Sequence, residues 1–538
     1  MRAEHEKKTL MRGVLVLMPA ALFTKCIGLF YKIPLLFIVG VEGMAYFLAA
    51  YHIYSLLFVL SSTGLPTALS LQIARALATG RGRHVRRIFG VSLTLFLSVG
   101  LLGTALLMLG ARPLAARLAM ADAAAAILAI APALLLAAFI GAAKGFFQGH
   151  GQMGTTALSE VLEAAGKLGF GLCFALWARK QGLSTPEIAA YAIFGITAGM
   201  ALAALVLLVA LCRMRLQQRE QRTTTALPAR RAVLSELCRV ALPITLSASV
   251  MSLVSLLDTA LISARLQSAG FAPEVANALY SSYGNLAIPL YNLVPSLLSP
   301  ITLALMPLLG AATAGGDREA AKGALATSVR LTALIAIPAG LGLSVFARPL
   351  LSLIYAGQNA AIDVAAPLLS VLALSVLPAS LLTVTGAALQ ATGHTTLPVV
   401  AMGAGAAVKL LLEGILLCVP DVNITGAPIS TLACTVTVLL IEWIALSRVL
   451  SFPVIELRDL FRPLLVAVPA VVLGAALYLW CRTRFGEAIW QMPVVLVLTV
   501  LAVLLLALRA RAVEREDLLA LPAGERLCHL LEKCKLLK

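Results

Sequence analysis

Lys25 and Lys32 stand seven residues apart, two turns of an α-helix, so both project from one face of the apolar run that holds them. No carboxylate on that run is placed to neutralise them. A second set of charges lies in "GFFQGHGQMGTTALSEVLEAAGK", where Glu160, Glu163 and Lys167 fall on a single helical stripe. A third lies in "GAALQATGHTTLPVVAMGAGAAVKLLLEG", with Lys409 and Glu413 at i and i+4, and Asp258 and Arg265 flank a further apolar run. Lysine acts toward phosphate as a point charge with three donors, so several lysines facing one space suit an anionic, diphosphate-bearing substrate. Asp258, Glu160 and Glu163 are the candidate carriers of a coupling ion. The structural alternative pairs Lys167 with Glu163 and Lys409 with Glu413, assigns Glu442 no chemistry, and lets Lys144 reach toward headgroups.

These charges need a functional reason because of what surrounds them. The chain has 538 residues, of which 60% are hydrophobic and only 12% charged. A mean hydropathy of +0.96 excludes a soluble globular protein, which runs nearer half apolar and a quarter charged. In an apolar bundle an ionised side chain costs about 2.5–3.5 kcal/mol at a helix centre, so those retained face a partner or a cavity. The net charge of +17 does not indicate nucleic acid: the basic residues are neither interleaved with aromatics nor gathered into one domain. Nine scattered cysteines without a CxxC pair give no zinc site and no disulfide framework. No cofactor is expected beyond coupling to membrane potential or a monovalent ion.

A transmembrane helix needs about 20 apolar residues. On that measure the chain is all-α and integral to the membrane, with about fourteen transmembrane helices between residues 11 and 508. Arg2, Lys7, Lys8, Arg81, Arg83, Arg86, Arg87, Arg213 to Arg231 and Arg509 to Lys538 all fall on one side of that pattern, which places both termini in the cytoplasm. The polar stretch from Arg213 to Arg231 divides the spans into two parallel six-helix lobes and a C-terminal pair. The expected organisation is an N-lobe over 1–212, a basic cytoplasmic linker over 213–235, a C-lobe over 236–450, a helix pair over 451–511 and a cytoplasmic tail over 512–538. One offset of 242 residues separates Gln148 from Gln390, Gly151 from Gly393 and Lys167 from Lys409, which marks an internal repeat. The proline-rich "NLAIPLYNLVPSLLSPITLALMP" predicts a bending helix over Asn285 to Pro307.

"GLFYKIPLLFIVGVEGMAYF", "GLPTALSLQIA", "GFFQGHGQMGTTALSEVLE", "LLDTALISARLQSAGF" and "ALQATGHTTLPV", in that order, resemble the stage V sporulation protein B family. That family belongs to the superfamily of multidrug, oligosaccharidyl-lipid and polysaccharide exporters and is similar to lipid II flippases. The resemblance implies a transporter, not an enzyme, in the bacterial plasma membrane, which rocks two lobes about a central cavity and uses its last two helices to help form a groove for a polyprenyl tail. It implies a lipid-linked oligosaccharide as substrate, with membrane lipids and cell-wall synthesis proteins as partners and no nucleic acid. Lys25 and Lys32 stand where that family usually has arginines, and Asp258 and Arg265 match its acidic and basic positions in the seventh helix. The leading expectation is therefore a flippase for an undecaprenyl-diphosphate-linked sugar, either a peptidoglycan precursor or a surface polysaccharide unit. The alternatives are a cation-coupled multidrug exporter and a membrane scaffold for cell-wall synthesis.

Overall fold

The computed structural model describes residues 2–62, 64–78, 82–217, 229–419, 421–452, 457–486 and 490–509. Among them the chain is helical, without strands, as its long apolar runs predict. By packing it forms two compact units, Met1–Ser281 and Ser282–Lys538. The first holds α1 (Arg2–Ser62), α2 (Gly64–Ala78), α3 (Gly82–Arg117), α4 (Ala124–Ile130), α5 (Ala133–Gly149), α6 (Met153–Lys180), α7 (Thr185–Gln217), α8 (Arg230–Ser268) and α9 (Pro273–Ser281). The second holds α10 (Ile288–Leu297), α11 (Ser299–Ala314), α12 (Arg318–Val345), α13 (Ala347–Ile354), α14 (Asn359–Leu372), α15 (Val376–Ala391), α16 (Thr396–Leu416), α17 (Gly426–Leu450), α18 (Leu457–Phe485) and α19 (Gln491–Arg509). This division by packing is a different quantity from the lobes assigned by counting spans, which rest on the repeat. The central part of the linker and the tail over 512–538 lie outside the described residues.

Eleven stretches among the described residues are long and apolar enough to cross a bilayer, against about fourteen expected. The difference has identifiable sources. Tyr31–Leu77 counts as one stretch of 47 residues although two helices meet within it at Gly40, while α8 and the segment from α9 to α11 are not among the eleven. At about 1.5 Å per residue that first stretch is roughly twice the hydrocarbon thickness, and it turns at Gly40. There the backbone has φ 81° and ψ 167°, a region open essentially to glycine alone. Large apolar side chains such as Leu102, Leu109, Leu411 and Leu473 stand exposed on the outer faces, as a lipid-embedded surface requires.

The repeat is structural as well as textual. In the first unit α5 ends with Gly151 at φ 73°, its N–H donating to the Gln148 carbonyl at 2.9 Å, while the Gln152 N–H donates to the Phe147 carbonyl at 2.9 Å. In the second, α15 ends with Gly393 at φ 87°, and the matching bonds run from Gly393 to Gln390 at 3.1 Å and from His394 to Leu389 at 2.9 Å. These are the two bonds of a glycine-closed helix end, made twice. Each copy also begins with a broken helix: the first breaks at Ala131 and Pro132 between α4 and α5, the second at the 3-10 turn Ala373–Ser375 between α14 and α15.

The expected bending over Asn285 to Pro307 is present: a π-helical turn over Ser282–Ala287 leads into α10, and the chain breaks at Leu298 before α11. Buried apolar residues hold each unit, among them Leu35, Met44, Leu69 and Phe96 in the first and Leu309, Val329, Val384 and Leu446 in the second.

Because Gly40 occupies a region closed to other residues, Gly40→Ala is expected to cost about 1–3 kcal/mol. A detergent melting curve should show a lowered midpoint. Gly154→Ala, at a helical position where a Cβ meets nothing within 4 Å, should leave it unchanged or slightly raised.

Candidate functional site

The turn at Gly40 folds α1 back so that residues on both sides of it, Tyr31 and Lys32 before and Tyr51 and Phe58 after, line one cavity of 380 Å³. The other walls come from α5 through Lys144, from α6 through Glu160, Glu163 and Lys167, and from α7 through Ile196. The stripe read from the sequence on α6 thus faces a single space. Close helix approach holds the walls together. A Cβ on Gly199 of α7 would lie 2.5 Å from the Lys167 nitrogen and 2.9 Å from the Glu163 carbonyl, so only glycine lets α7 sit this close behind the charged stretch of α6. Tyr31 adds a bond across 161 residues, its hydroxyl donating to the Ala192 carbonyl at 3.1 Å.

Within the cavity Glu163 sits between two cations: Lys167 Nζ lies 2.6 Å from its Oε1 and Lys144 Nζ 3.9 Å from its Oε2. Lys144 also donates to Glu160 at 3.3 Å. The Glu163 side chain is 14% exposed, where an uncompensated carboxylate would be costly. Lys32 lines the same space and makes no hydrogen bond or ion pair among the described residues. Three lysines against two glutamates leave the lining with one positive charge in excess, and the aromatic rings of Tyr31, Phe47, Tyr51 and Phe58 face it.

The remaining candidates are placed elsewhere. The side chain of Lys25 lies outside the described residues. Lys409 is buried in the second unit, 3.7 Å from Glu413, which is fully buried and accepts from Ser430 at 3.1 Å. Glu442 accepts from Thr385 at 2.5 Å. Asp258 is half-buried on α8, beside Thr259, which meets His52 at 2.6 Å and Tyr280 at 2.8 Å. Arg265 is exposed in the last turn of α8.

Sequence reading missed two features. Lys144 belongs to the charged cluster, not to a headgroup-facing helix end; the available signal was that Lys144 and Glu160 stand eight residues either side of Gln152, opposite each other across the α5–α6 turn. The contacts of His52 with Thr259 and Tyr280 join positions more than 200 residues apart and leave no local pattern.

Glu163 contacts both lysines, whereas Glu160 contacts one, so Glu163→Gln should lower the melting midpoint in detergent more than Glu160→Gln. Breaking a buried pair by removing one partner costs about 3–5 kcal/mol, and partial exposure places this one below that range. Glu163→Gln combined with Lys167→Gln should recover part of the loss, which a double-mutant cycle measures.

Comparison with known proteins agrees with this architecture. Residues 10–312 match the family described as polysaccharide biosynthesis protein, and residues 274–414 match MatE. In Bacillus subtilis the chain is similar to the uncharacterized membrane protein YabM, 27% identical over 88% of this chain and 92% of that one. Stage V sporulation protein B of the same organism is 25% identical over 83% and 85%, and its lipid II flippase MurJ 24% identical over 89% and 95%. Among solved structures, lipid II flippase MurJ in an inward closed conformation aligns over 92% of this chain and 98% of its own with a TM-score of 0.69 at 15% identity. An inward-facing multidrug resistance MATE family transporter of the MOP superfamily aligns over 80% and 94% with a TM-score of 0.67 at 16% identity. The resemblance to the stage V sporulation protein B family therefore holds, and the chain is a multi-pass plasma-membrane transporter, not an enzyme. With more than half its length matched, the chain belongs to the polysaccharide biosynthesis protein family.

Proposed function

We propose that this protein is a flippase that carries an undecaprenyl-diphosphate-linked sugar, a peptidoglycan precursor or a surface polysaccharide unit, across the plasma membrane. The observation that carries the reading is Lys32, which enters a cavity already holding two paired lysines and makes it cationic. A diphosphate brings at least two negative charges to that space. Lys32 meets it first, and Lys167 and Lys144 exchange their carboxylate partners for phosphate oxygens, a trade lysine makes easily because its ammonium has no fixed plane. Glu160 and Glu163, freed of their cations, are candidate carriers of a coupling ion. Asp258 is a further candidate in that coupling. Tyr31 and Tyr51 supply the flat, partly polar faces on which a sugar ring packs.

In this reading the lobes 1–212 and 236–450 alternate access to the two membrane faces, both termini are cytoplasmic, and the helix pair over 451–511 accompanies the polyprenyl tail. Lys25, seven residues before Lys32 in the sequence, extends the cationic path in this reading, and Arg265 and Lys409 belong to later steps of transfer. The aromatic share of the cavity also suits a multidrug exporter, a reading the MatE match favours. An exporter of cationic drugs needs an available carboxylate, and here both Glu160 and Glu163 are engaged by lysine.

Liposomes holding the purified protein should exchange fluorescent undecaprenyl-diphosphate sugar between leaflets. Losing one charge-assisted contact of about 1.5–3 kcal/mol should slow exchange about tenfold or more in Lys32→Gln, and further with Lys25→Gln. Transport of a cationic dye unaffected by these changes, with no exchange of the lipid, would establish the exporter instead. Absence of both activities in folded protein would favour the scaffold.

A further inference from the structure

A second basic site lies on another face of the first unit. Arg86 and Arg87 of α3 and Arg230 of α8 stand around an open cleft of 580 Å³ whose lining also includes Thr94, Ser98 and Leu234. The lining holds three guanidinium groups and no carboxylate. The first carboxylate of α8, Glu236, is not in that lining and pairs with Arg75 at 3.1 Å. The Arg87 Nε is buried and meets no acceptor among the described residues. The hydroxyls cannot supply one toward an anion's place: Thr94 and Ser98 donate to their own helix, to the carbonyls of Gly90 at 3.0 Å and Thr94 at 2.8 Å.

The cleft continues as a lipid-facing stripe. Along α3 the face that carries Arg87, Thr94 and Ser98 runs on to Leu102 and Leu109, which are 62% and 86% exposed. Cationic groups therefore sit at the arginine-rich end of the helix, where the membrane interface is expected, and an uncovered apolar track runs from them into the bilayer. A free phosphate would use only the first of these features. A phospholipid uses both.

We infer that this cleft binds an anionic phospholipid, its phosphodiester between Arg87 and Arg230 and one acyl chain along Leu102 and Leu109. Basic pockets between membrane helices recognise headgroups in this way, each Lys or Arg adding to the attraction. The site is separate from the cavity of Lys32 and does not depend on what that cavity carries.

The full-length protein in detergent, titrated with dioleoyl phosphatidylglycerol or dioleoyl phosphatidylcholine and weighed by native mass spectrometry, tests it. Wild type should retain phosphatidylglycerol about tenfold more strongly than phosphatidylcholine, and the double variant Arg87→Gln, Arg230→Gln should lose that preference. Arg87→Lys with Arg230→Lys should keep much of it, and all three proteins should melt at similar temperatures, so a folding defect is distinguishable from a lost site. Equal retention of phosphatidylglycerol by wild type and the glutamine variant would overturn the proposal. Displacement of phosphatidylglycerol by excess inorganic phosphate at equal affinity would overturn the lipid assignment and leave a phosphate site.

Discussion

An ionised group inside an apolar bundle must find an opposite charge, and in this protein Glu163 is where that requirement is met. Its two oxygens engage lysines from two different helices, Lys167 from its own α6 and Lys144 from α5. The geometry of the first unit serves that meeting. The glycine-closed end of α5 sets α5 antiparallel to α6 at the spacing that brings Lys144 opposite Glu160. Gly199 lets α7 lie against the back of the same turn of α6, and Gly40 returns α1 so that Lys32 and Tyr51 close the space in front. The charges could not be held in this way by propensity alone, because the partners come from separate helices and each must arrive at ion-pairing distance.

The second copy of the hairpin shows what the repeat preserves. Its turn has the same left-handed glycine and the same pair of backbone bonds, so the backbone is repeated closely. The chemistry is not. At the repeat offset Glu163 corresponds to Gly405, and Gly171 corresponds to Glu413. At these positions and the lysine between them each copy has one lysine, one acid and one glycine, with acid and glycine exchanged about the lysine. In the first copy the glycine side, Gly171, packs against Tyr31, and the acid side opens to the cavity. In the second, Gly405 packs against Val438 and Cys434, while Glu413 is fully buried beside Ser430. One lysine is left at a surface a ligand can reach; the other is sealed.

The parts of this arrangement that were legible in the sequence are those with local periodicity. The stripe of Glu160, Glu163 and Lys167, the lysine spacing in the first helix and the repeated glycine all follow from residues close together along the chain. The helix breaks were partly legible, through the prolines between Asn285 and Pro307, but the break at Ala373–Ser375 has no proline within it. The division of the first apolar stretch into two passes near residue 40 was legible too, and Gly40 is where its two helices meet. Lys144 was misassigned because its partners are set by a tertiary turn. The trio of His52, Thr259 and Tyr280 was invisible for the same reason on a larger scale.

Fold resemblance cannot choose the substrate here, since the lipid II flippase and the MATE transporter align almost equally well at 15% and 16% identity. The choice rests on charge at the site. A cavity for a cation should present acids that water and lysine have left available, whereas here every cavity carboxylate is already engaged and the surplus is a lysine. Neutralising that surplus costs less than separating an existing pair, so under the proposed function Lys32 sets the sign of what enters first. Under the proposed function the paired lysines set how much more negative charge the cavity can accept, because each leaves its glutamate only for a stronger acceptor. A single negative charge would satisfy Lys32 and leave the pairs intact. A diphosphate is the smallest common lipid-linked group with enough charge to engage both kinds of lysine.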